Sequence, residues 1–124
     1  VCLSEIYKTE LDPRIGFLHE PNYRALSLHL DLAEIFKPIL GDTLIFSMLN
    51  KKEITAKDFQ TDAGRIKFSN DAVQKIELKM IARFGETVSL GGQSITRRQV
   101  IRREANQIKK YICEGAPYEG LVWR

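Results

Sequence analysis

The stretch from Leu26 to Leu49 constrains the fold more than any other part of this chain. Leu26, Leu28, Leu30 and Leu32 alternate as a strand would, whereas Leu28, Leu32, Ile35, Phe36 and Ile39 fall on one helical stripe. The run is long and made of good helix formers, so it predicts a helix, with Ser27 as its N-cap. Pro38 has no amide hydrogen and crowds the preceding turn, so it should bend or interrupt that helix. A second helical stretch should then carry Leu40, Leu44, Ile45, Met48 and Leu49. Two successive segments this apolar must be buried.

The flanking patterns are shorter. Leu3, Ile6, Tyr7 and Leu11 have helical spacing, and Asp12-Pro13 should end that helix, because proline disfavours helical geometry in the residue before it. From Arg14 to Arg24 the turn formers Gly16, Pro21 and Asn22 predict a loop with His19 in its middle. Phe59, Ile66 and Phe68 flank Thr61-Asp62-Ala63-Gly64, the pattern of a short hairpin. Asn70 or Asp71 should cap a helix that buries Val73, Ile76, Met80, Ile81 and Phe84 and stops at Gly85. After a polar loop containing Gly91-Gly92, Thr96 should start the last helix, with Ile101, Ala105, Ile108 and Ile112 inward and its end before Gly115 and Pro117. The tail from Tyr118 to Arg124, with Leu121, Val122 and Trp123, should pack back on the chain. The expected fold is mainly α: one multi-helix domain over residues 1–124 with a short β-hairpin.

A chain of 124 residues buries about two-thirds of its unfolded surface, enough for a real core. No apolar run approaches the roughly 20 residues that span a bilayer. Cys2 and Cys113 lack metal-ligand or redox spacing, so they are expected as small core hydrophobes in a reducing compartment, the cytoplasm. The opening Val1-Cys2-Leu3, with neither an initiator methionine nor a cap, reads as a cut from a longer protein. A formal charge of +3 decides nothing about partners, so its placement matters more. Arg97, Arg98, Arg102, Arg103, Lys109 and Lys110 crowd the final helix, opposed there by Glu104 and Glu114. Such a face either contacts the phosphates of a nucleic-acid duplex without reading sequence or is simply solvated.

The chemistry centres on His19, followed twelve and fifteen residues later by Asp31 and Glu34. Residues three apart on a helix are neighbours, so the two acids share one side and His19 can meet them from the loop. Carboxylates among leucines are costly unless paired with cations or metals. A mixed nitrogen and oxygen shell suits manganese or zinc, or magnesium if water and phosphate oxygens complete it. The bland reading pairs Asp31 and Glu34 with Arg14, Arg24 or Lys37 and leaves His19 on a loop carbonyl. His29 lies about 140 degrees around the helix from Glu34 and is read as packing. No nucleophile elbow, Cys-His pair or phosphate-binding glycine loop is present, so nucleophilic catalysis by the protein is not expected.

Leu11-Asp12-Pro13-Arg14-Ile15-Gly16-Phe17-Leu18-His19-Glu20-Pro21, followed by Leu30-Asp31-Leu32-Ala33-Glu34-Ile35-Phe36-Lys37-Pro38, resembles the CRISPR-associated integrase family that captures new spacers. The likeness is strong over residues 11–38, and Leu49-Asn50, the hairpin from Phe59 to Ser69 and the basic last helix are similar to the rest of that family's helical C-terminal domain. It implies a metal-dependent DNA endonuclease and integrase using Mg2+ or Mn2+, which joins 3′-hydroxyl ends of a short DNA to a CRISPR repeat by transesterification. His19 then matches the ligand histidine, Glu34 the downstream acidic ligand, and Asp31 a neighbouring acid that supports the site. Many members carry Asp where this chain has Glu34. The resemblance also implies double-stranded and branched DNA as partners, a homodimer built by an N-terminal β domain, and a small ferredoxin-like partner protein. The family's third ligand, a glutamate on an earlier helix, would precede Val1, so the site should be one ligand short and the chain inactive alone. The alternative is a non-catalytic helix-turn-helix-like module in which Gly91-Gly92 precedes a recognition helix beginning at Thr96.

Overall fold

The computed structural model describes residues 1–19 and 26–122. Glu20, Pro21, Asn22, Arg24, Trp123 and Arg124, used in the sequence reading, lie outside them. The chain divides into two compact units, residues 1–36 with 87–124, and residues 37–86.

The first unit contains α1 (Cys2–Ile6), α2 (Ser27–Phe36), the strands β3 (Thr87–Leu90) and β4 (Gln93–Thr96), and α5 (Arg97–Glu114). Helices α1, α2 and α5 pack together, and among the described residues Ile6, Leu11, Leu28, Leu32, Phe36, Val100, Ile101, Ala105 and Ile108 are its buried apolar residues. Helix α1 is shorter than its apolar spacing predicted. The Thr9 hydroxyl donates to the Ile6 carbonyl at 2.7 Å and accepts from Leu11 N at 3.1 Å, so a threonine turn closes the helix well before Pro13. Tyr7, expected inward, is exposed, and Glu5 is buried in its place. Ser27 is the first residue of α2 rather than its cap, and its hydroxyl donates to the Arg14 carbonyl at 2.6 Å.

Residues 87–96, read as a polar loop, form a second hairpin in which Thr87 pairs with Thr96 and Leu90 with Gln93. Gly91 and Gly92 take φ of +59° and +78°, the left-handed pair that a two-residue hairpin turn requires. Strand β4 runs directly into α5. Thr96 and Gln99 form a reciprocal capping box, with bonds of 2.7 Å and 3.1 Å. Gly115, at φ +67°, ends the helix as expected. Ile112 and Cys113, expected inside, are exposed, and Cys2 is half-buried. The start of the tail returns to the unit, as the Tyr118 hydroxyl donates to buried Glu104, whereas Val122, expected to pack, is exposed.

The second unit begins with a π-helical segment (Lys37–Asp42) and continues through α3 (Thr43–Asn50), a short 3-10 turn (Ala56–Asp58), β1 (Phe59–Asp62), β2 (Arg65–Phe68) and α4 (Asn70–Gly85). Pro38 lies inside the widened turn, so the interruption predicted there is real. The Ile39 carbonyl accepts from the Thr43 hydroxyl at 2.5 Å, and the Arg83 guanidinium reaches that hydroxyl at 2.6 Å. Leu44, Met48 and Ile54 form the core, with Ile45, Phe68, Ile76 and Met80 against it. The hairpin is where the sequence put it, with Phe59 opposite Phe68 and their rings 4.8 Å apart. Helix α4 is capped by Ser69, whose hydroxyl accepts from Ala72 N at 3.3 Å, one residue earlier than expected. Its apolar face is also not buried as expected, since Val73 and Ile81 are exposed and Leu78 lies exposed on another side. Among the described residues, no helix is long and apolar enough to cross a membrane.

Ala63 opens the β1–β2 turn at φ +48°, a conformation that asparagine tolerates better than alanine. Ala63→Asn should raise stability by roughly 0.5–1 kcal/mol, or about 2–4 °C in melting temperature. An unchanged or lowered thermal midpoint would contradict this turn geometry.

Candidate active site

The loop after α1 is fastened to α2 at one carboxylate. Asp31 Oδ2 accepts from the Phe17 amide and from the Leu18 amide at 3.2 Å, while Oδ1 accepts from the His19 amide at 3.1 Å. The His19 ring meets the same oxygen through Nδ1 at 2.6 Å. Three consecutive amides converge on the side chain only because the loop runs hard against it. A Cβ on Gly16 would lie 2.5 Å from Asp31 Oδ2 and 2.9 Å from Ser27 Oγ, so only glycine fits there. Leu28 N donates to the Pro13 carbonyl at 3.1 Å, a further stitch between loop and helix.

Asp31 is 7% exposed. Burial pushes its carboxyl up, but the His19 ring and the three amides outweigh it and hold the group below its ordinary value. A carboxylate offers about four lone-pair positions, and these four bonds occupy them. Asp31 is therefore an orienting group. It holds Nδ1 of His19 and leaves Nε2 as the ring's other nitrogen, the arrangement usual for a metal-binding histidine.

Glu34 lies one turn further along α2 and is exposed. The two acids expected to share a face are thus divided, Asp31 facing inward and Glu34 lying at the rim. Among the described residues, no three histidine, cysteine or acidic side chains are placed to hold a metal together. His29 is half-buried on α2.

The cationic helix divides too. Arg98 and Arg102 each donate through Nε to Glu5, at 2.8 Å and 2.6 Å, and Lys109 pairs with Glu10 at 3.0 Å. Arg102, Arg103 and Lys110 line an open concavity of about 440 Å³ with Gln99, Asn106 and Gln107. Arg97 belongs to the first turn of α5 and is half-buried. Helix α5 follows a β-hairpin rather than a helix and tight turn, so the helix-turn-helix alternative lacks its first helix. Sequence reasoning missed Glu5 and the role of Glu104, and read Gly16 as a turn former without its close approach to Asp31. For Glu5 there was no local signal, because its partners Arg98 and Arg102 stand 93 and 97 residues away.

The model of the family described as CRISPR associated protein Cas1 matches residues 1–80. The chain belongs to the Cas1 family. A CRISPR-associated endonuclease Cas1 of Thermodesulfovibrio yellowstonii is 41% identical over 98% of this chain and 37% of its own length. One from Clostridium perfringens is 39% identical over 96% of this chain and 37% of its own. The chain thus spans little more than a third of the curated relatives it matches. Among solved structures, a CAS1 protein from Thermotoga maritima superposes with a TM-score of 0.80 at 34% identity, over 90% of this chain and 34% of that one. A casposase bound to integration product gives 0.78 at 26% identity, over 98% and 37%. The mainly α fold expected from the sequence is the fold these relatives share over the matched region.

Two outcomes test the geometry around Asp31. Gly16→Ala should cost about 1–3 kcal/mol and release His19, seen as loss of a distinct ring Nδ1 proton signal by NMR. A variant of native stability with that signal intact would refute the contact. The lowered Asp31 group contributes stability that is complete above its unfolded value of about 3.9 and is lost as pH falls through the lower folded value. Asp31→Asn should therefore flatten the acid limb of a stability-against-pH curve below about pH 4.

Proposed function

We propose that this chain forms part of a metal-dependent DNA endonuclease and integrase that inserts new spacers into CRISPR arrays. The observation that carries the reading is the fastening of His19 by Asp31, which fixes an imidazole at the surface of a rigid helix. The names of the Cas1 relatives and of the casposase bound to integration product support it.

The donors suit a divalent cation. The His19 ring, with Nδ1 committed to Asp31, would bind through Nε2, and Glu34 at the exposed rim would supply a carboxylate. When bound, Mg2+ or Mn2+ supplies a Lewis acid at a phosphoryl oxygen and neutralises charge as the phosphodiester is exchanged. Asp31 orients the imidazole and fixes its tautomer. Two protein ligands leave room for a third, which the family resemblance assigns to a glutamate. Arg103 and Lys110 on α5, with Arg97, Arg98, Arg102 and Lys109, would attract the DNA backbone. Homodimerisation and assembly with a small ferredoxin-like protein are proposed for the longer protein.

Cleavage of a branched DNA in Mn2+ should be measured for this chain and for a version extended upstream. The extended protein should cleave, with His19→Ala lowering the rate about 100-fold or more and Asp31→Asn about 10–100-fold. Robust metal-dependent cleavage that survives His19→Ala would sink the site assignment.

A further inference from the structure

Glu5 is fully buried on α1, and three cations reach it: Lys8 Nζ at 2.9 Å, Arg98 Nε at 2.8 Å and Arg102 Nε at 2.6 Å. The arginines take different oxygens. A single guanidinium in a bidentate fork would neutralise one carboxylate. Here each arginine commits only its Nε to Glu5, and three cations around one anion leave the cluster with a surplus of two positive charges. Nor do the charges serve cohesion best. Desolvation offsets most of the attraction in a buried ion pair, so an apolar contact would join α1 to α5 about as firmly. What Glu5 adds is a fixed orientation for two guanidinium planes.

Arg98 and Arg102 lie four apart, on one face of α5. Arg98 Nη2 donates to the Ser4 hydroxyl at 3.1 Å, and Arg98 Nη1 and both terminal nitrogens of Arg102 have no partner among the described residues. Both side chains stay nearly half exposed, at 48% and 44%, although their inner edges touch a buried acid. Arg102 also lines the α5 concavity, whose other lining residues, Gln99, Arg103, Asn106, Gln107 and Lys110, include no carboxylate. From Gln99 to Lys110 that face runs about 16 Å, or roughly five base-pair steps of duplex.

We propose that Arg98 and Arg102, set by the buried carboxylate of Glu5, clamp one backbone phosphate of DNA at the edge of the α5 groove. Glu5 is then a positioning residue for DNA, separate from the His19–Asp31 centre. The inference rests on the DNA-processing reading above and names where that DNA is held.

The test is binding of the 124-residue chain to a short fluorescein-labelled duplex without divalent metal, across a salt series. Glu5→Gln removes a negative charge among cations, so charge alone predicts tighter binding, whereas a lost clamp predicts binding about tenfold weaker. Equal or tighter binding by a variant that still melts cooperatively overturns the proposal. Arg102→Lys repeats the test with Glu5 still paired. It keeps the charge and loses the fork, so affinity should fall about tenfold with the salt slope nearly kept. Unchanged affinity again overturns the clamp. If the clamp variants bind normally while His19→Ala abolishes cleavage, the clamp fails and the enzymatic reading stands; a native chain that binds no duplex removes the clamp as well.

Discussion

The grip of Asp31 on three successive loop amides is the interaction on which the candidate site depends. A carboxylate buried among leucines needs donors, and backbone amides of an irregular loop need acceptors. Each requirement answers the other at one place. The loop could have many conformations on its own, since residues 12–19 contain no regular structure. Bound to Asp31 it has one, and His19 at its far end inherits a fixed position. Gly16 makes the approach possible, and Ser27, at the start of α2, closes it from the other side by holding the Arg14 carbonyl. A side chain on a loop thereby acquires the precision of one on a helix, which a site for phosphoryl chemistry requires.

Among the described residues the first unit buries three acids, and each is satisfied by a different kind of partner. Asp31 takes neutral amides and an imidazole, Glu5 takes cations, and Glu104 takes a tyrosine hydroxyl. The choice of partner sets what each place can do. Amides leave the negative charge of Asp31 in force beside His19, so the neighbourhood favours a cation. Arginines cancel the charge of Glu5 and exceed it, so that neighbourhood favours an anion. Burial and the Glu104 carboxylate push the Tyr118 phenol up to about 12, so it stays protonated as a donor and pins the tail. A cation-attracting centre and an anion-attracting edge within one unit are the two electrostatic requirements of an enzyme that works on a phosphodiester.

Much of the fold was legible because its causes are local. The stripe through Leu28, Leu32 and Phe36 is a helix, Pro38 widens the following turn, and Ala63-Gly64 makes a hairpin. The second hairpin obeyed the same rule and was missed. Val88, Leu90 and Ile95 are few, and the polar residues between them hid the alternation around Gly91-Gly92. Helix α4 misled in the opposite direction: apolar residues at Val73, Leu78 and Ile81 surround it, so periodicity alone did not identify the buried side. The contacts of Glu5 were beyond local reading altogether, since Arg98 and Arg102 stand 93 and 97 residues away. The His19–Asp31 pairing was visible in spacing. Its amide donors were not, because every residue has one and sequence does not say where it points.

The division of labour between Asp31 and Glu34 follows from helix geometry. Residues three apart differ by about 60 degrees around the axis, near enough to be neighbours yet far enough for a core boundary to fall between them. Asp31 falls on the inner side with Leu28 and Leu32, and its two oxygens are filled by four bonds. It could bind a metal only by releasing the loop that presents the histidine. Glu34 falls on the outer side, where, in the proposed function, a hydrated ion and a DNA phosphate would both arrive without burial of charge. The longer glutamate arm extends that reach from the rim, whereas an aspartate at position 34 would hold its carboxylate nearer the helix. In the proposed function, therefore, Asp31 acts on the reaction through the imidazole it orients, and Glu34 acts by direct contact with the ion.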